Sequence, residues 1–190
     1  MKKVCIIFLM SIIISLTALG FSGVLSENTQ KDGGRYATNL SQTDNEYLRI
    51  HIRADSNDPQ AQAVKYYVRD QVVDYLTPLV AEYQTQAQAI QGVGEHLAQV
   101  EQVAAQTLRA QGFTYGATAE LTVEKFPTRV YGEYTLPAGE YAALIIRLGS
   151  GQGDNWWCVV YPPLCFAGEG ENVVYKSKIL EIIDNFRKKQ

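Results

Sequence analysis

The sequence predicts an α+β fold: a β-α-α-β-β-β two-layer domain with a mostly antiparallel sheet packed by two helices, after an N-terminal signal or anchor segment. Three observations carry this expectation. Leu48-Arg49-Ile50-His51-Ile52-Arg53 alternates apolar and polar residues with the period of a strand. Two longer stretches follow in which apolar residues recur at spacings of three and four, the period of a helix. Beyond Gly112 the vocabulary changes to β-branched and aromatic runs punctuated by glycine and proline.

Ahead of the domain, Met1-Lys2-Lys3 leads into an apolar run from Val4 to Leu19, closed by Ala18-Leu19-Gly20. A short basic stretch, an apolar core and a small-x-small end are the pattern of a secretory signal peptide. The apolar character continues through Phe21 and Val24-Leu25, and ~20 such residues span a bilayer, so a retained anchor is the second reading of residues 1–25. Either reading places the remainder outside the cytoplasm, with the membrane touched only through this segment. Residues 26–46 are polar, glycine-containing and aperiodic, and read as a flexible tether. The domain is expected over 47–166, with a tail over 167–190.

The strand Leu48–Arg53 is expected to end at Asp55-Ser56-Asn57-Asp58-Pro59. Asn57 or Asp58 suits a helix cap, and proline suits the first helical position. Helix one is expected over 59–77, with Val64, Val68, Val72 and Leu76 buried and Pro78 ending or kinking it. Helix two is expected over 85–111, with Ile90, Val93, Leu97, Val100, Ala104 and Leu108 on one face and Gly112 as its stop. Gly92 and Gly94 weaken its first half by roughly 1 kcal/mol each. Strands are expected over 117–126, 141–148 and 156–161, and the tail carries an amphipathic helix over 172–189.

Composition narrows the function. Hydrophobic residues make up 46% of the 190 and charged residues 19%, enough apolar surface for a buried core. The formal net charge of −3 becomes −5 without Lys2 and Lys3, and no basic, aromatic-interleaved stripe appears, which argues against nucleic-acid binding. His51 and His96 are the only histidines, too few and too scattered for a zinc site, and no cofactor is expected. His96 reads as solvated. Gly149-x-Gly151-x-Gly153 is followed by a tryptophan-rich strand where a phosphate loop would need a helix, so it reads as a hairpin loop. Cys158 and Cys165 are the cysteines outside the leader. They are either a disulfide, turned by Pro162-Pro163, or two small buried hydrophobes. Neighbouring Trp156 and Trp157 point to opposite faces of a strand, so one packs inward and the other is exposed or covered by a loop or the last helix.

Several strings together carry a resemblance. They are Leu48-Arg49-Ile50 with Ala54-Asp55-Ser56-Asn57-Asp58, Val68-Arg69-Asp70-Gln71-Val72, Phe126-Pro127-Thr128-Arg129-Val130-Tyr131-Gly132 and Leu136-Pro137-Ala138-Gly139-Glu140-Tyr141. The longest is Leu148-Gly149-x-Gly151-x-Gly153-x-Asn155-Trp156-Trp157-Cys158-Val159-Val160-Tyr161-Pro162-Pro163-Leu164-Cys165-Phe166. Over about 47–166 the chain resembles the stage II sporulation protein R family of endospore-forming bacteria.

That resemblance implies a protein made in the forespore and exported into the space between the two membranes. There it triggers a membrane-embedded aspartic protease of the mother cell, which cleaves a sigma factor precursor. It implies an activator and transfers no catalytic residue. The expected partner-binding residues are Arg49, His51 and Arg53, read as the wet face of the first strand, with Arg129, Tyr131, Asp154, Asn155 and Trp156 on nearby loops, because arginine and aromatic residues are enriched at interface hot spots. The alternative is an exported cysteine-dependent cell-wall hydrolase, with Cys158 or Cys165 as nucleophile and His51 as base.

Overall fold

The computed structural model describes Leu40, residues 45–166 and residues 173–189, with side chains of the last helix from Lys178 onward. The proposed leader, 1–25, and all of the tether except Leu40, Asn45 and Glu46 lie outside the described residues. The first strand, β1 (Leu48–Arg53), is central in a four-stranded sheet of order β2-β5-β1-β6, whose other members are β2 (Ala117–Phe126), β5 (Gly139–Leu148) and β6 (Asn155–Tyr161). It runs parallel to β5, pairing Leu48 with Ala142 through Arg53 with Arg147, and antiparallel to β6. The β2–β5 pair is antiparallel, so the sheet is mostly antiparallel as expected. Both faces of β5 are covered, which is why Ala142 to Ile146 is an unbroken apolar run.

Helix α1 (Pro59–Val80) starts at Pro59 and buries Val64, Val68, Val72 and Leu76 against the sheet. It continues two residues past Pro78. The expected side-chain cap does not form: Asp58 makes no capping hydrogen bond, and Asn57 Oδ1 instead accepts from the Asp154 amide at 2.6 Å.

The second expected helix is two helices, α2 (Gln86–Glu95) and α3 (Leu97–Ala110), broken at His96 with φ −110° and ψ 9°. Gly92 and Gly94 lower the helix propensity just ahead of the break. The break lets both segments address the core, through Ala89, Ile90 and Val93 in α2 and Val100, Ala104 and Leu108 in α3. His96 is half-buried, and its Nδ1 shares a 2.8 Å hydrogen bond with the Tyr75 hydroxyl, contrary to the expectation of a solvated side chain. Gly112 adopts φ 84° and closes α3, with Phe113 N donating to Leu108 O.

Between β2 and β5, where loops are expected, lies a hairpin: β3 (Arg129–Tyr131) paired with β4 (Tyr134–Leu136) around Gly132 at φ 58°. The last helix, α4 (Val173–Arg187), buries Ile179, Ile182, Ile183 and Phe186 as expected.

Helices cover one face of the sheet and form the main core with Ile50, Ile52, Leu144, Ile146 and Val160; Leu40 is buried in the same core. The opposite face carries a smaller core of Phe126, Leu136, Tyr141, Ala143, Ile145 and Val159 beneath the β3–β4 hairpin. No helix among the described residues is long and apolar enough to cross a membrane.

Candidate functional site

Alternation along β1 places Arg49, His51 and Arg53 on the face away from the helices, where β6 contributes Asn155, Trp157 and Val159 opposite them. This face is not wet. Arg49 is 0% exposed and His51 2%, because the hairpin and Phe126 close over them. Period-two alternation identifies the two faces of a strand, but not whether a short hairpin elsewhere in the chain folds over the polar one.

Arg49 is held in an aromatic cage. Its guanidinium carbon lies 4.1 Å from the ring centre of Phe126, 4.9 Å from Tyr141 and 5.8 Å from Tyr131. Nη2 donates to the Tyr131 hydroxyl at 2.7 Å, while Nε and Nη1 have no hydrogen-bond partner among the described residues. Burial lowers its pKa and the Tyr131 hydroxyl opposes that, yet a guanidinium remains charged at any physiological pH.

His51 and Arg53 share one carboxylate. Glu124, reaching across from β2, accepts from His51 Nδ1 at 2.8 Å through Oε2 and from Arg53 Nη2 through Oε1. The imidazole stacks on Trp157 and meets the edge of Phe126. Burial pulls the His51 pKa below its ordinary value, with Glu124 and Asn155 opposing. A neutral ring must then donate from Nδ1 to the carboxylate, leaving Nε2 as an acceptor.

The other expected site residues divide. Arg129 and Tyr131 are on the hairpin, and the Arg129 guanidinium lies 5.9 Å from the Trp157 ring, so these two join the Arg49–His51–Arg53 cluster. Asn155 belongs to the same face. Trp156 points to the helix side, with Arg69 at 5.8 Å from its ring, and is not part of the cluster. Both indoles are partly buried, on opposite faces. Asp154 lies in the loop between β5 and β6, where its backbone amide meets Asn57 and its carbonyl accepts from the buried Lys65 Nζ at 3.0 Å.

That loop is not a hairpin. Strands β5 and β6 flank β1 on either side, so residues 149–154 cross over its end. The crossing is locked to the turn after β1: Gly153 N donates to Ala54 O, and Ser150 N to the Asp55 carboxylate. The sequence reading missed Glu124, Phe126, Tyr141 and Trp157. The signal available was their shared parity on strands that it had identified.

Among the described residues, no cysteine stands beside His51 as a nucleophile. Cys158 is in register with Ile50 on the helix side, and it is joined to Cys165 by a disulfide with Cα atoms 6.1 Å apart. Neither sulfur is a free thiol, and His51 lies on the other face of the sheet. Among the described residues, no group of three His, Cys, Asp or Glu is placed to hold a metal ion.

Comparison with known proteins agrees with the resemblance. A family model described as Stage II sporulation protein R (spore_II_R) matches residues 44–171. Stage II sporulation protein R of Bacillus subtilis (strain 168) is 36% identical over 119 residues, which cover 63% of this chain and 53% of that relative. The match thus spans about half the length of the curated relative. No solved structure matches.

Proposed function

Because this chain belongs to the stage II sporulation protein R family, we propose that it is an exported messenger of sporulation that activates a membrane-embedded aspartic protease of the mother cell and so triggers cleavage of a sigma factor precursor. The observation that carries the reading is the extent of the family match, 44–171, which takes in the whole sheet and the three helices before β2. The basic-apolar leader supports export into the space between forespore and mother-cell membranes. Binding in place of catalysis is supported by the site: its histidine faces a carboxylate and two aromatic rings, and both cysteines are tied together on the other side of the sheet. An exported cysteine-dependent hydrolase would need a free thiol within hydrogen-bond reach of that histidine.

The test is complementation. The gene is placed in a sporulating strain that lacks its own version, and sigma-precursor cleavage is followed by immunoblot beside the level of exported protein. Restored cleavage is the expected result. Exported, folded protein without cleavage in a close-relative host would overturn the proposal.

A further inference from the structure

We propose that Arg49 is a preformed receptor for a carboxylate of the protein partner, an Asp or Glu side chain, and that the β3–β4 hairpin is the cover that yields it. This rests on the messenger reading and adds where and by what chemistry the partner is gripped.

Arg49 is fully buried, yet no carboxylate among the described residues pairs with it. Buried charges in folded proteins are normally paired, because desolvating an ion is otherwise expensive. The nearby acid is already committed, since Glu124 spends both oxygens on His51 and Arg53. Arg129, exposed on the hairpin, adds a second cation that makes no ion pair among the described residues and donates to the Thr128 carbonyl. This face therefore holds surplus positive charge on a chain whose net charge is −3. The aromatic cage offsets part of the desolvation through cation–π attraction, but it supplies no acceptor to Nε or Nη1.

Among the described residues, the polar partner of Arg49 is the hydroxyl of Tyr131, and Tyr131 is part of the cover. The cover is slight, with three residues in each strand. Its outer side is open: Val130 is 65% exposed. Inward, Leu136, Tyr131 and Tyr134 hold it; at the tip, Arg187 of α4 donates to the Tyr134 hydroxyl at 3.3 Å and meets Glu133 at 3.1 Å, the latter an exposed pair of the kind that contributes little. When the hairpin lifts, the Tyr131 hydroxyl leaves and Nε with Nη2 presents the planar fork that takes a carboxylate in two hydrogen bonds. Arginine suits this role where lysine would not, because it keeps its charge when buried.

Two measurements on the full exported chain decide it. Sodium acetate, as the probe, is titrated into protein labelled for NMR of the Arg49 side chain, with sodium chloride of equal ionic strength as control. A saturable shift of Arg49 Nε in acetate alone is expected, and Tyr131→Phe, which removes the competing hydroxyl, is expected to tighten it several-fold. Absence of any shift beyond the chloride control overturns the proposal, whatever the variants do. In the complementation strain, Arg49→Met is expected to unfold at an equal or higher temperature than the parent and to lose sigma-precursor cleavage. A folded, exported Arg49→Met protein that cleaves at the parental level overturns it as well. If that variant fails to fold, the acetate titration decides. Failure of the parental chain itself to restore cleavage sinks the messenger reading and leaves the acetate result standing on its own.

Discussion

The imidazole of His51 lies flat on the indole of Trp157, ring centres 3.6 Å apart and planes within 19°. The imidazole is buried, and burial is the main reason it holds its proton less firmly than the ordinary pKa of 6.5. The unfolded chain takes up a proton near 6.5, whereas the folded chain does so only at lower pH. In that window the unfolded state binds more protons, so stability falls as pH falls, by at most about 1.4 kcal/mol per pH unit. Urea midpoints measured from about pH 7.5 to about pH 5 should show this decline, and His51→Gln should flatten it. Equal pH profiles for the two proteins would remove His51 as the cause.

The loop crossing the end of β1 depends on an absent side chain. A Cβ on Gly153 would stand 2.2 Å from the Ser56 carbonyl oxygen, a backbone atom that cannot step aside. Gly153→Ala should therefore lower stability by about 2 kcal/mol or more, through backbone displacement at the crossing. Gly116→Ala, where nothing lies within 4 Å, is the matched control and should change little. Thermal unfolding of the two variants side by side checks the contrast.

Cys158 and Cys165 are seven residues apart, so the bond between them closes a short loop. Chain-entropy estimates for such a loop give about 2 to 3 kcal/mol. Replacing both by alanine should lower the unfolding free energy by roughly that amount. A messenger would keep its cleavage-triggering activity per exported molecule in this variant. Loss of activity at normal export and normal fold would favour a chemical role for sulfur.

Helix starts offer a further contrast. Thr85 Oγ1 accepts from Gln88 N at 3.2 Å and caps α2, whereas Asp58 occupies the same position ahead of α1 without a side-chain bond. Thr85→Ala should cost about 1 kcal/mol and Asp58→Ala only a few tenths. Denaturant midpoints would reverse in order if Asp58 were the effective cap.

Local pattern carried much of the fold. The bounds of β1 and β2 follow from alternation alone, and the buried stripes of α1 and α4 follow from helical spacing. What was not legible depends on pairing at long range. Nothing in the run from Gly139 to Leu148 shows that it lies parallel to β1, or that β6 closes the other side. Hence local pattern alone reads the glycine loop as a hairpin and the polar face of β1 as an exposed one. The β3–β4 hairpin was within reach, since Tyr131-Gly132-Glu133-Tyr134 is a two-residue turn between short β-forming segments. For the site, Arg49, His51 and Arg53 stood out by charge and parity. Glu124 became visible only once the strand order put β2 on the same sheet face.

The central place of β1 sets the order in which the chain can fold. Its neighbours are β5 and β6, which begin at Gly139 and Asn155, so the first strand of the domain has no partner until some ninety residues later have appeared. A chain delivered vectorially from its N-terminus, by a ribosome or through a membrane pore, presents β1 and the helices long before the sheet can form. Pairings of such high sequence separation form late and slowly. The topology thus delays cooperative folding of the sheet until almost the whole domain has emerged.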